Sequence, residues 1–137
     1  MEPKLFVATK AFINFGGKIL IIRESNKYQE GSNVGQYAIV GGRVKPGQNF
    51  LDSLRREVKE ETGLDVYDVR FIHYQDFIYD PIFHKKKHFI FLDFSCKTDK
   101  SDNVTLNDEC EKYAWFKPEE ALKMPLNQYT KKTIQDY

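Results

Sequence analysis

The sequence predicts an α/β fold, a mixed β-sheet covered by helices on both faces in an α/β/α sandwich. Three observations carry the prediction. Runs of β-branched and aromatic residues recur along the chain between turns marked by Gly, Pro, Asn and Asp. Helical periodicity is confined to two places, the stretch from Asn49 to Gly63 and the C-terminal end after Pro118. A mixed sheet has two faces to bury, and a helical layer on each side buries them with the fewest elements. At 137 residues the chain is read as one domain, 1–137, long enough for a sizeable core.

The elements follow in order. Leu5 to Ile13 is a β-branched and aromatic run, read as a strand. Asn14-Phe15-Gly16-Gly17-Lys18 is a turn, and Ile19 to Arg23 returns as a second strand, so the pair makes a hairpin. Glu24 to Gln36 is polar and without period, a loop with a solvated tip. Tyr37 to Val40 is a short strand feeding a glycine-rich turn at Gly41-Gly42, and Pro46-Gly47 marks a tight turn before the first helix. Asn49 caps that helix, Leu51, Leu54 and Val58 form its apolar stripe, and Gly63 supplies the left-handed residue that ends it.

Leu64 to Tyr79 reads as one long or two short strands, broken at Asp80-Pro81. His84-Lys85-Lys86-Lys87-His88 is a charged hairpin tip, and neither histidine has a zinc-ligand spacing. Phe89 to Phe94 is nearly all apolar, as expected of a central strand covered on both faces. Lys97 to Asp108 is a polar loop, and Lys112 to Phe116 a last strand containing Trp115. Pro118, with Glu119 and Glu120 behind it, opens a short helix. Asn127 caps a final helix with Leu126, Thr130, Ile134 and Tyr137 on one side.

Composition excludes several classes of function. Hydrophobic residues make up 41% and charged residues 30%, ordinary for a soluble globular chain. A net charge of +1 gives no electrostatic footprint for bulk nucleic acid or a membrane surface. Cys96 and Cys110 form neither a disulfide framework nor a metal-site spacing and read as reduced, packed thiols. No signal peptide or spanning segment is evident, so a cytoplasmic location is expected.

One helix breaks a local rule. Glu57, Glu60 and Glu61 share one face near its C-terminal end. Like charges at i,i+4 destabilise a helix by ~0.2–0.5 kcal/mol, and anions sit badly at the negative end of the helix dipole. A hard divalent cation removes that penalty, because Mg²⁺ takes carboxylate and phosphate oxygens together.

The surrounding pattern resembles the Nudix hydrolase box, G-x5-E-x7-R-E-U-x-E-E-x-G-U, with U a bulky aliphatic. Gly42 opens it, Arg56-Glu57-Val58 follows, then Glu60-Glu61 and Gly63-Leu64, all at the family's spacing. One specified position differs: Gln48 stands where the family has Glu. Val40 also stands where many members have Pro. The resemblance implies the Nudix fold and Mg²⁺-dependent hydrolysis of a diphosphate bond, with Mn²⁺ as a substitute ion. The substrate it implies is a nucleoside diphosphate linked to another group.

Carried over position by position, Glu57, Glu60 and Glu61 match the metal-binding glutamates, and the Gly41 carbonyl matches a further ligand in some members. Arg56 matches the box arginine, which orients the glutamates. The general base matches Glu57 in some members and an acid on a later loop in others. Asp108, Glu109 and Glu111 precede Trp115, and Glu109 is the choice among them. The expected substrate is a nucleoside triphosphate, including oxidised ones such as oxidised dGTP. The alternatives are ADP-ribose or a nucleotide sugar, or a nucleotide-binding module without catalysis. Phe77, Tyr79 and Phe83 are the aromatics set out for stacking on a base. Homodimers are common in the family, and the partner expected here is a small-molecule nucleotide.

Overall fold

Alternation of side chains along one long strand organises the sheet. In the computed structural model, which describes residues 4–24, 37–78, 87–99, 104–107, 110–126 and 128–136, strand β1 spans Lys4–Phe15. It runs parallel to β6 (Lys87–Lys97), from Lys4 opposite Lys87 to Asn14 opposite Lys97. Its other edge is shared. The antiparallel β4 (Val40–Arg43) pairs with Ala8 to Ala11, and β2 (Lys18–Glu24) pairs with Asn14 and Phe15. The β1–β2 hairpin turns through Gly16 and Gly17, both at positive φ, as a two-residue loop between twisted strands requires.

β2 carries β7 (Cys110–Phe116) and the short β3 (Tyr37–Ala38), both antiparallel. β5 (Tyr67–Ile78) lies antiparallel to β6 at the sheet's edge. One parallel pair among antiparallel ones makes the sheet mixed, as expected.

Two helical layers close it. Ala11, Ile13, Leu20, Ile22, Phe94 and Cys96 face α1 (Phe50–Thr62), which contributes Leu54 and Val58. Phe12, Ile19 and Ile21 face the other side, where α2 (Pro118–Ala121) and α3 (Gln128–Asp136) bring Ala121 and Ile134. Each successive residue of β1 and β2 thus belongs to the opposite core, the period of two that a doubly covered strand requires. The α/β/α sandwich is the observed architecture.

Two expectations change. Gly41 and Gly42 are strand residues within β4, not a turn; the turn lies at Lys45–Gln48, where the Gln48 amide donates to the Lys45 carbonyl. Leu51 is not on the packed stripe: both apolar residues of the first turn, Phe50 and Leu51, are exposed, while Ser53, Leu54, Val58, Glu61 and Thr62 form the buried face. Of the two readings of the segment after Gly63, the one long strand is observed, 12 residues with two register shifts. The Glu24–Gln36 loop beyond Glu24, the hairpin tip before Lys87, and Asn127 and Tyr137 lie outside the described residues. Cys96 and Cys110 are free and buried. Among the described residues no helix is long and apolar enough to cross a membrane.

Candidate active site

α1 is held at both ends by its own sequence. Asn49 Oδ1 accepts from the Asp52 amide at 2.8 Å, and the Gly63 amide donates to the Lys59 carbonyl at 2.9 Å with φ 74° at Gly63. The helix lies against β4, where Val40 packs in one core with Leu54 and Val58, and Gly42 faces the Glu57 carboxylate. A Cβ placed on Gly42 would stand 2.5 Å from Glu57 Oε2, well inside van der Waals contact. Only glycine leaves room for that carboxylate against the strand. Gly41 is required for a different reason: a Cβ there would run into the Thr9 carbonyl oxygen and stand 2.6 Å from Lys10 Cδ on β1.

Arg56 ties two of the acidic side chains together. Its Nη2 lies 3.0 Å from Glu57 Oε1, and its Nη1 3.2 Å from Glu60 Oε2. Nη2 also donates to Gln48 Oε1 at 3.3 Å. Its Nε is buried with no hydrogen-bond acceptor among the described residues. The three acids differ in setting. Glu57 is mostly buried, Glu60 is 53% exposed, and Glu61 sits inside the packed face of α1 at 5% exposure. They lie on consecutive turns of one helix, but among the described residues no three carboxylate, imidazole or thiol side chains converge into a ready metal cage. Glu57 and Glu60 are turned toward the Arg56 guanidinium instead.

The later-loop acids divide. Asp108 and Glu109 lie outside the described residues. Glu111, two positions on, is paired with Arg23 at 2.6 Å, across the β2–β7 ladder. Of the aromatics considered for stacking, Phe77 packs against Phe91 and Tyr129, and Tyr79 and Phe83 lie outside the described residues.

The NUDIX domain family model matches residues 5–137. The chain belongs to the Nudix hydrolase family. This Nudix hydrolase is 34% identical over 111 residues to nucleoside triphosphatase NudI of Escherichia fergusonii, covering 73% of this chain and 74% of that one. It is 36% identical to NudI of Salmonella schwarzengrund over the same shares of the two chains. Among solved structures it resembles the MutT protein of Methanosarcina mazei, with a TM-score of 0.81 and 26% identity over 98% of this chain and 94% of that one. As a Nudix pyrophosphohydrolase it is an enzyme, and Gly42–Leu64 is where its box falls.

A second group of residues had no motif to announce it. On the α3 side of the sheet a narrow cleft is lined by Lys10, Gln75, Phe91, Asp93 and Tyr129. Asp93, 1% exposed, accepts at Oδ2 from Gln75 Nε2 at 3.0 Å and from Thr133 Oγ1 at 2.7 Å, and lies 2.9 Å from His73 Nε2. The signal available in the sequence was one acid inside an otherwise apolar run, Phe89-Ile90-Phe91-Leu92-Asp93-Phe94. A charge buried between apolar neighbours needs partners, and here three elements supply them.

Proposed function

We propose that the protein hydrolyses nucleoside triphosphates to a nucleoside monophosphate and pyrophosphate, with a divalent cation, Mg²⁺ or Mn²⁺, held at the α1 acids. The observation that carries the reading is the Glu57 carboxylate, seated against Gly42 and gripped by Arg56. That arrangement spends a strand glycine and an arginine on fixing one acid, which packing alone does not require. The two relatives named as nucleoside triphosphatases support the substrate class.

The donor set fits a hard cation. Carboxylates at Glu57, Glu60 and Glu61 and the carbonyl of Gly41 are all oxygen ligands, the kind Mg²⁺ takes together with phosphate oxygens. The slot at Gly42 fixes Glu57 and leaves the more exposed Glu60 free to swing toward an ion. The bound cation supplies neutralisation of the polyphosphate charge and acidification of water. Arg56 orients Glu57 and Glu60 and offsets their mutual repulsion. The proton of the attacking water goes to an acid, and Glu109 is our choice, since Glu111 is already committed to Arg23. The two buried free thiols accord with work in a reducing, cytoplasmic compartment.

The test is a substrate panel of nucleoside triphosphates, ADP-ribose and nucleotide sugars, each with Mg²⁺, Mn²⁺ and EDTA. Metal-dependent release of monophosphate and pyrophosphate from the triphosphates is the expected result. Turnover confined to ADP-ribose or sugar nucleotides, or tight binding without turnover, would replace this reading.

A further inference from the structure

Alternation along β1 puts Thr9 on the face that looks toward α1, in line with Ala11 and Ile13 of the core there. In the β1–β4 ladder Thr9 stands opposite Gly42. Directly opposed residues of an antiparallel pair carry their Cβ atoms about 4.5–5.5 Å apart on one face. The place of the missing Gly42 Cβ is taken by the Glu57 carboxyl group, whose Cδ lies 2.3 Å from it. Thr9 and the Glu57 carboxylate are therefore cross-strand neighbours, within reach of one hydrogen bond or one bridging water.

The Thr9 hydroxyl is unused by the fold. Thr9 is fully buried, and its Oγ1 has no hydrogen-bond partner among the described residues. Ser53, one turn before Glu57 on the buried face of α1, is also fully buried, and its Oγ is likewise unpartnered among them. With Arg56 Nε, these are the buried side-chain donors left without an acceptor among the described residues. Each is a neighbour of Glu57: Thr9 across the strand pair, Ser53 along the helix, Arg56 in the ion pair. A buried hydroxyl without a partner is costly, and valine has the same shape without that cost. Packing alone does not account for threonine at this position.

The Glu57 carboxylate is held by Arg56, whose Nη2 lies 3.0 Å from Oε1. A cation at the α1 acids competes with that guanidinium, and a carboxylate turning between the two still has lone pairs for a further donor. We propose that Thr9 is a positioning residue for Glu57: its hydroxyl donates to one carboxylate oxygen, directly or through one buried water, and leaves the other directed at the cation. The inference rests on the proposed metal-dependent hydrolysis and adds the group that sets the orientation of its central acid. Being fully buried, Thr9 acts through Glu57 and not on the nucleotide.

Wild type, Thr9→Val and Thr9→Ser decide it. Each is measured for Mn²⁺ affinity by calorimetry without nucleotide, for melting temperature in EDTA, and for kcat and KM with a nucleoside triphosphate at saturating Mg²⁺. Thr9→Val is expected to bind Mn²⁺ about 10- to 100-fold more weakly, as loss of a hydrogen bond behind a metal ligand does. Its kcat is expected to fall while KM for the nucleotide stays near the wild-type value. It is expected to melt at or above wild type in EDTA, because an unpartnered hydroxyl has been removed. Thr9→Ser keeps the hydroxyl and is expected to recover most of the Mn²⁺ affinity and kcat. Wild-type Mn²⁺ affinity and kcat in Thr9→Val would overturn the proposal. So would a Thr9→Ser protein as impaired as Thr9→Val, or a Thr9→Val protein that fails to fold or melts well below wild type in EDTA. Wild-type protein that neither binds Mn²⁺ nor turns over would remove the hydrolase reading and this inference with it. Normal turnover and Mn²⁺ binding that Thr9→Val leaves intact would remove this inference alone.

Discussion

At Gly42 and Gly41 two neighbouring glycines answer to different constraints, and substitution separates them. The atom that a Cβ on Gly42 meets is the end of the Glu57 side chain, which can move; the atom it meets on Gly41 is the Thr9 backbone, which cannot. Gly42→Ala is expected to fold with a melting temperature near wild type and to lose ~100-fold in kcat, the scale of a 1 Å misplacement of a catalytic group. Gly41→Ala is expected to lower the melting temperature as well, because it forces β4 away from β1. Thermal melts alongside kcat distinguish the two. Arg56→Ala removes the guanidinium from Glu57 and Glu60 and is expected to keep the fold while costing ~100-fold in activity. Normal turnover at saturating Mg²⁺ would remove that orienting role. Gln48 reaches Arg56 through its amide oxygen, without charge. Gln48→Glu is expected to tighten the hold on Arg56 and raise Mg²⁺ affinity by ~2- to 5-fold, the worth of a partly exposed ion pair. A metal titration measures it.

At the scale of elements, α1 was legible because its signals are local. Asn49 as cap, Gly63 as stop and the Leu54–Val58 spacing all act within one or two turns, and each is seen. Leu51 misled because periodicity reports which face an apolar residue is on, not whether the neighbouring layer extends far enough to cover it. The glycines of β4 misled for a similar reason. Glycine marks either a positive φ or a close approach, and the sequence does not distinguish them. At Gly41 and Gly42 the cause is contact with β1 and with α1. Leu54 is fully buried between α1 and the sheet, and Leu54→Ala is expected to cost ~2–5 kcal/mol in denaturant unfolding. Asn49→Ala, which removes the cap, is expected to cost ~1 kcal/mol.

For the whole molecule, the sandwich could be inferred from strand and helix order, since two covered faces leave few arrangements. The Asp93 cluster could not, because its partners Gln75 and Thr133 come from a different strand and from the last helix. Only tertiary contact assembles them. Burial between sheet and α1 also pushes the Cys96 thiol up to about 12 from an ordinary value of 9.0, with nearby Arg55 opposing the shift weakly. Between those values the native protein keeps a proton that the unfolded chain releases. This contribution to stability is therefore complete below about pH 9 and falls as pH rises toward 12, by an amount on the order of a few kcal/mol. Unfolding free energies compared between wild type and Cys96→Ala are expected to converge over that interval.

Hydrolysis at this site depends on one acid, Glu57, acting at the phosphates. The most direct measurement is Mg²⁺-dependent release of monophosphate and pyrophosphate by wild type and by Glu57→Gln, with melting temperatures taken on both. Glu57→Gln is expected to stay folded and to lose about 10³-fold or more in kcat, as loss of a key electrostatic group does. A folded Glu57→Gln variant that turns over at the wild-type rate would contradict the account.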